Sequence, residues 1–304
     1  MTALQKILCP VDFSTASDLA LDYALALGKR HGSQVSVMHV LPKVMADPDV
    51  YPYLSEPVLT SSETRDRAFR LLGGFVHRAL SQGIAAEVIL EDGDVVEEVL
   101  NRSEKIGADL VVMGTHGHRG FRRLLLGSVT ERLLRQSFSP VLAIPPSVPA
   151  PRKDGAAPFQ KVLCPVDFSP ASVAALRVAR EIGGDDAEAL VLHVVELYFG
   201  PALGEAAPFD TTEIREQQRE RAQAKLEALV PAEARAKTRL ETTVVESGGP
   251  YREVLRIAER EKSELIVMGV AGRSAVDLLF FGSTANHVVR EAACPVLTVR
   301  AAPE

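Results

Sequence analysis

Two stretches of this chain have residue types and spacing suited to holding an anion. Gly114-Thr115-His116-Gly117 is followed, nine residues on, by Gly127-Ser128-Val129-Thr130. Gly269-Val270-Ala271-Gly272 is followed at the same spacing by Gly282-Ser283-Thr284. Glycine permits positive φ and lets the backbone come close to a bulky group. If a helix opens at Ser128 and at Ser283, its first N–H groups have no partner within the helix, and its dipole adds partial positive charge. Together these make a phosphate site. Ser128 and Ser283 add hydroxyl donors, and Arg119, Arg122, Arg123 and Arg273 add cations in the loops. Three prescribed glycines occur by chance roughly 3 times in 10,000 at ~7% glycine usage. The pattern occurs twice. The competing explanation is a tight turn that needs glycine only for strand-to-helix packing.

Other residues are candidates for the same site. Asp12 and Asp167 each follow a short apolar run, Pro10-Val11 and Pro165-Val166. A carboxylate there can take ribose hydroxyls or adenine, or sit near a phosphate-bound cation; alternatively it caps a turn. Val40 and Val194 end apolar runs and can meet adenine through the backbone, although burial alone would also place them there. Met113 and Met268 precede the first glycine of each pattern. The candidate binding set is therefore Pro10, Val11, Asp12, Val40, Met113, Gly114, Gly117, Gly127, Ser128 and Val129 in the first half. In the second half it is Pro165, Val166, Asp167, Val194, Met268, Gly269, Gly272, Gly282, Ser283 and Thr284. No G-x4-G-K-(S/T) run is present, so the lysine that grips β- and γ-phosphates in that motif is missing. His116 reads as a rim residue rather than a catalyst, since the second pattern has Ala271 in its place. No catalytic residue and no protein-built metal site is expected.

The elements that position these residues come in two sets. Lys6-Ile7-Leu8-Cys9-Pro10-Val11-Asp12-Phe13-Ser14 returns as Lys161-Val162-Leu163-Cys164-Pro165-Val166-Asp167-Phe168-Ser169, and His39-Val40 returns as His193-Val194. The glycines recur at the same 155-residue offset as the first run. Such self-similarity marks a duplicated domain. Pro145-Pro146-Ser147-Val148-Pro149-Ala150-Pro151 continues neither strand nor helix. A linker at about 146–158 then separates domains 1–146 and 158–304.

Within one copy, apolar runs at 6–12, 34–41, 86–90, 109–114 and 141–144 alternate with helical patterns. Ser14 and Asp94 read as caps, and Ser169-Pro170 as a cap followed by proline at the first helical position. Alternating strand and helix predicts a parallel, doubly wound α/β sheet, with ligands beyond the carboxyl ends of its strands. The segments 42–62 and 197–212 differ between copies and read equally as lids or as variable loops. Cys9, Cys164 and Cys294 fit no zinc or disulfide pattern and read as reduced apolar filler.

The composition is 46% hydrophobic and 24% charged with no Trp, and the formal net charge is −6. This argues against a general nucleic-acid or membrane-surface binder. No apolar stretch approaches the ~20 residues of a membrane helix, and a cytoplasmic location is expected.

The G-2x-G-9x-G-S pattern, the Pro10-Val11-Asp12 strand end and the closing Pro140-Val141-Leu142 strand resemble the ATP-binding branch of the universal stress protein family. The resemblance covers both halves. It implies two tandem Rossmann-like, adenine nucleotide alpha hydrolase-like domains, each a parallel five-stranded sheet ordered 3-2-1-4-5. It further implies ATP as ligand, with AMP or ADP as substitutes, and Mg²⁺ or Mn²⁺ held mainly by the phosphates. Pairing of the two domains through their last strands, a homodimer, and an unidentified protein partner follow from the same resemblance. Three functions then stand open: a nucleotide-dependent stress regulator, a slow ATPase, or an interaction scaffold with structural nucleotide.

Overall fold

The computed structural model describes residues 4–42, 62–116, 126–152, 157–184, 187–196, 211–230, 240–247, 249–270 and 281–301. The chain divides into two compact units, Met1–Pro158 and Phe159–Glu304.

The first unit runs β1 (Lys6–Pro10), α1 (Thr15–His31), β2 (Gln34–Pro42), α2 (Ser62–Leu80), β3 (Ala86–Gly93), α3 (Val95–Ile106), β4 (Leu110–Gly114), α4 (Ser128–Gln136) and β5 (Val141–Ile144). Its strands lie in the order β3-β2-β1-β4-β5. The described pairings within it are parallel. The second unit runs β6 (Lys161–Pro165), α5 (Pro170–Gly183), β7 (Glu188–Glu196), α6 (Thr211–Leu229), β8 (Leu240–Ser247), α7 (Pro250–Arg260), β9 (Leu265–Gly269), α8 (Ser283–Glu291) and β10 (Val296–Val299). Its order is β8-β7-β6-β9-β10, again parallel.

Burial explains the strand sequences. Ile7, Leu8 and Cys9 have no exposed surface, nor do Leu163 and Cys164. A strand covered on both faces needs apolar residues on both, hence continuous runs instead of alternation. The same burial raises the thiol pKa of Cys164 to about 12 and pushes Cys9 up further. Helices bury one stripe each, such as Ala20, Ala24, Leu27 and Gly28 on α1. Gly28 has no room for a side chain, since a Cβ there would lie 2.8 Å from a Val35 methyl carbon. Gly183 holds the equivalent place on α5, with the Ala187 Cβ at the same distance.

The first strand is shorter than its apolar pattern predicts: it ends at Pro10, Val11 adds one last rung to Met38, and Asp12 turns away. The third is longer, reaching Gly93. The proline-rich stretch after β5 is irregular, and part of it docks on the first unit. The Tyr23 hydroxyl of α1 donates to the Pro149 carbonyl at 3.0 Å, and Val148 is buried.

Helix starts are locally encoded. Ser14 accepts from the Ser17 N–H, and Ser169 from the Ser172 N–H. Asp94 Oδ1 accepts from the Val96 and Glu97 N–H groups, both at 3.0 Å. The Glu97 N–H is the main influence holding the Asp94 carboxyl below its usual range. The Arg132 guanidinium and the Val96 N–H add to it, and partial burial opposes it. A carboxylate with a depressed folded pKa stabilises the fold above its unfolded pKa of ~3.9, and that contribution fades as pH falls through the folded pKa. Asp94→Ala is expected to cost about 1 kcal/mol at neutral pH. Asp94→Asn keeps a capping oxygen and loses the charge. Urea titrations of the full chain should show its deficit against wild type at pH 6 and see it shrink as pH falls below ~4.

Candidate functional site

The site begins where β6 stops pairing. The Val166 N–H donates to the Leu192 carbonyl at 2.8 Å, the last rung on that side. Asp167 then turns away, its Oδ1 accepting from the Ser169 N–H at 3.0 Å and the Ser169 hydroxyl at 2.5 Å. Phe168, between them, sits at φ 64°. The first unit repeats the turn, with Ser14 N–H to Asp12 Oδ1 at 3.0 Å and Phe13 at φ 63°. A left-handed φ in a bulky residue costs roughly 1–2 kcal/mol. Local contacts hold it. His193 Nδ1 lies 2.7 Å from the Val166 carbonyl and so carries the proton and donates, and its ring lies 4.5 Å from that of Phe168. His39 does the same with Val11 and Phe13, at 2.7 Å and 4.4 Å.

The neighbouring strand runs past this point. Pro165 pairs with Leu192, yet β7 continues to Glu196. Backbone direction alternates along a strand. Leu192 directs its carbonyl toward β6, so Val194 directs its N–H and C=O the same way, beyond the last rung. Val40 has the corresponding position past the Val11 to Met38 rung.

On the other side of β6, β9 ends at Gly269 and α8 opens at Ser283. The Gly282 N–H donates to the Val270 carbonyl at 2.7 Å, and the Gly127 N–H to the Thr115 carbonyl at 2.9 Å. Neither α4 nor α8 has a side-chain cap, nor does α7, which opens on Pro250, in contrast to α1, α3 and α5. The first N–H groups of α4 and α8 therefore face the site without a capping side chain.

Four of the six pattern glycines lie among the described residues. None of Gly114, Gly127, Gly269 and Gly282 takes positive φ, and the two at the helix starts have φ −60° and −58°. What they supply is close approach. A Cβ on Gly114 would lie 3.0 Å from the Ala16 carbonyl oxygen. One on Gly269 would lie 2.7 Å from the Ser172 nitrogen. The packing explanation accounts for this glycine pair, whereas Gly127 and Gly282 border the uncapped helix starts.

In the second unit these parts surround one cleft of about 700 Å³. Pro165, Val166, Asp167, Val194, Met268, Gly269, Gly282, Ser283 and Thr284 all line it. In the first unit, Pro10, Val11 and Asp12 end β1 beside Val40, while Thr130 Oγ1 joins α4 to β4 by donating to the Gly114 carbonyl at 3.0 Å. Met113, Gly114, Gly127, Ser128 and Val129 occupy the β4 end and the α4 start. Gly117 and Gly272, the loop arginines, and nearly all of 42–62 and 197–212 lie outside the described residues. His116 Nδ1 is 2.8 Å from Thr115 Oγ1. Among the described residues no group of three or more His, Cys, Asp or Glu could hold a metal ion. Among the described residues no helix is long and apolar enough to cross a membrane.

Sequence reasoning missed several lining groups: Phe168, His193, and Gln218, Arg221 and Lys225 of α6. The repeated Asp-Phe-Ser and His-Val pairs carried a signal for Phe168 and His193. The α6 residues carried none, because the two helices after the second strand share no sequence pattern.

Gly269→Ala is expected to cost about 1–3 kcal/mol, since backbone atoms of α5 cannot yield cheaply. Gly73→Ala, at a helical position with nothing within 4 Å, should instead gain about 0.5–1 kcal/mol. Thermal melting of both variants checks the contrast.

The comparisons agree with this architecture. The model of the universal stress protein family matches residues 3–145 and again 158–300. A universal stress protein of Mycolicibacterium smegmatis is 28% identical over 297 residues, 97% of this chain and 96% of that one. Universal stress protein Rv1996 of Mycobacterium tuberculosis is 25% identical over 314 residues, covering 97% and 94%. The crystal structure of a universal stress protein from Archaeoglobus fulgidus shares the fold, with a TM-score of 0.66 and 24% identity over 98% of both chains. With the family matched over both halves, the chain belongs to the universal stress protein family as two domains in tandem.

Proposed function

We propose that each domain, 1–146 and 158–304, binds an adenine nucleotide, and that the protein is a stress regulator whose interactions follow nucleotide occupancy. The observation that carries this reading is the pair of uncapped helix starts, each beside a glycine and facing the end of the central strand. Phosphates beside Gly127 and Gly282 would take the N–H groups of Ser128-Val129 and Ser283-Thr284. Asp12 and Asp167 would meet the ribose, and the backbone of Val40 and Val194 the base. The cleft volume suits a mononucleotide, since small-molecule sites run about 300–1,000 Å³. Gly117 and Gly272 belong to the proposed site through the resemblance alone.

A divalent ion fits only as a companion of the phosphates. Asp167 supplies one carboxylate, and Mg²⁺ commonly takes one or two with the remaining positions filled by phosphate and water. When bound, the ion would offset phosphate charge. His193 already commits Nδ1–H to the Val166 carbonyl, where it holds the Phe168 turn, which supports a positioning role in a regulatory site. A cytoplasmic location, a homodimer and a protein partner complete the reading.

Calorimetric titration of nucleotide-stripped chain with ATP and Mg²⁺ tests it. Two sites are expected in the wild type. Gly127→Val and Gly282→Val should each weaken one site at least ~10-fold, the effect of losing about 1.4 kcal/mol, and the double variant should lose both. Circular dichroism and melting curves establish that the variants fold. Turnover should stay far below the ~1 s⁻¹ lower end of kinases. No binding by stripped wild type would leave the scaffold as the reading.

A further inference from the structure

We propose that the second domain carries a second anion subsite, formed by Arg221 and Lys225 of α6. Its ligand is then a nucleotide with an additional phosphate on the ribose, away from the 5′ end. This rests on the nucleotide reading above and specifies the ligand of one of its two sites.

Gln218, Arg221 and Lys225 share one face of α6 and line the cleft, while Ala222 and Leu226 bury the adjoining face. Lys225 Nζ stands 5.8 Å from the centroid of the Phe168 ring, above the turn that carries Asp167. Glu196 also lines the cleft, from the end of β7, but neither Arg221 nor Lys225 has an ion-pair partner among the described residues. α6 packs on β7 and β8, to one side of β6, whereas α8 starts from β9 on the other side. The two features that attract anions therefore flank the Asp167 turn from opposite sides. A ligand with phosphate at two places is matched to both.

The first domain is built differently at this place. There α2 sets Phe75 against Phe13, ring centroids 6.0 Å apart. Its Arg78 is engaged by Asp18 at 3.0 Å and Asp22 at 3.6 Å. At the 155-residue offset, Asp18 and Asp22 of α1 become Val173 and Arg177 of α5. The second domain thus lacks, at the equivalent positions, both carboxylates that neutralise the first domain's cation, and carries Arg177 at one of them. Two like charges one helical turn apart on a cleft wall, with no ion-pair partner among the described residues, repel one another and are relieved by an anion.

The test uses full-length chain with Gly127→Val to silence the first site. Calorimetry compares 5′-AMP, 5′-ADP, adenosine 3′,5′-bisphosphate and adenosine 2′,5′-bisphosphate. ADP matches the bisphosphates in phosphate number but holds both at one end. At least one bisphosphate should bind ~10-fold tighter than 5′-ADP, the effect of one charge-assisted contact. In Arg221→Met/Lys225→Met, which keeps good helix formers on α6, that ratio should fall to about 1. A bisphosphate no tighter than 5′-ADP, or a preference that survives in the double variant, would overturn the subsite while leaving the nucleotide reading intact. Failure of all four nucleotides and of ATP to bind Gly282-intact chain would remove both.

Discussion

The structure of each domain depends on one short strand paired in parallel on both sides. β1 is held by β2 and β4, and β6 by β7 and β9. The pairing ends abruptly at Pro10 and Pro165, while the flanking strands run on or turn into loops. Two neighbours that leave in different directions open a gap above the central strand. The aspartate turn, the overhanging valine backbone and the uncapped helix start all border that gap. The gap also sets the demand for small residues, because the first helix must cross the end of β4 or β9 at van der Waals distance.

The turn itself is strained in the same way twice. A phenylalanine at left-handed φ follows the aspartate in both domains, held by an Asx hydrogen bond below and a histidine ring beside it. Strain that recurs at the edge of a cleft suggests that the aromatic ring is needed there. Around this shared frame the domains have diverged in charge. The first keeps an Asp94–Arg132 pair and an aspartate-engaged Arg78, while the second has Gly249 in place of Asp94 and a cationic wall on α6.

Much of this was legible in the residues. The 155-residue offset gave the two domains, and Ser14, Asp94, Ser169-Pro170 and Gly32 marked helix ends by mechanisms that act within a few residues. The candidate residues that line the second cleft were found through two local patterns that the topology brings together. The rest depends on tertiary contact. Phenylalanine gives no sign of adopting positive φ, since that choice is made by Asp167, His193 and the end of the ladder. The role of Gly114 and Gly269 stayed open between an anion turn and packing, because glycine in sequence does not distinguish a left-handed turn from a close helix crossing. Arg221 and Lys225 sit on a helix whose polar residues surround it, so only its docking on β7 picks out the face that matters.

Burial of Cys9 and Cys164 has a further consequence. They occupy equivalent rungs, opposite Val37 and Val191, on the middle strand of each domain. Fully covered and held protonated, neither thiol meets an oxidant while its strand is in place. They are therefore poor sensors of redox stress in the folded protein, yet each becomes reactive as soon as its own half opens. Accessibility of either sulfur would therefore report the opening of the strand that buries it.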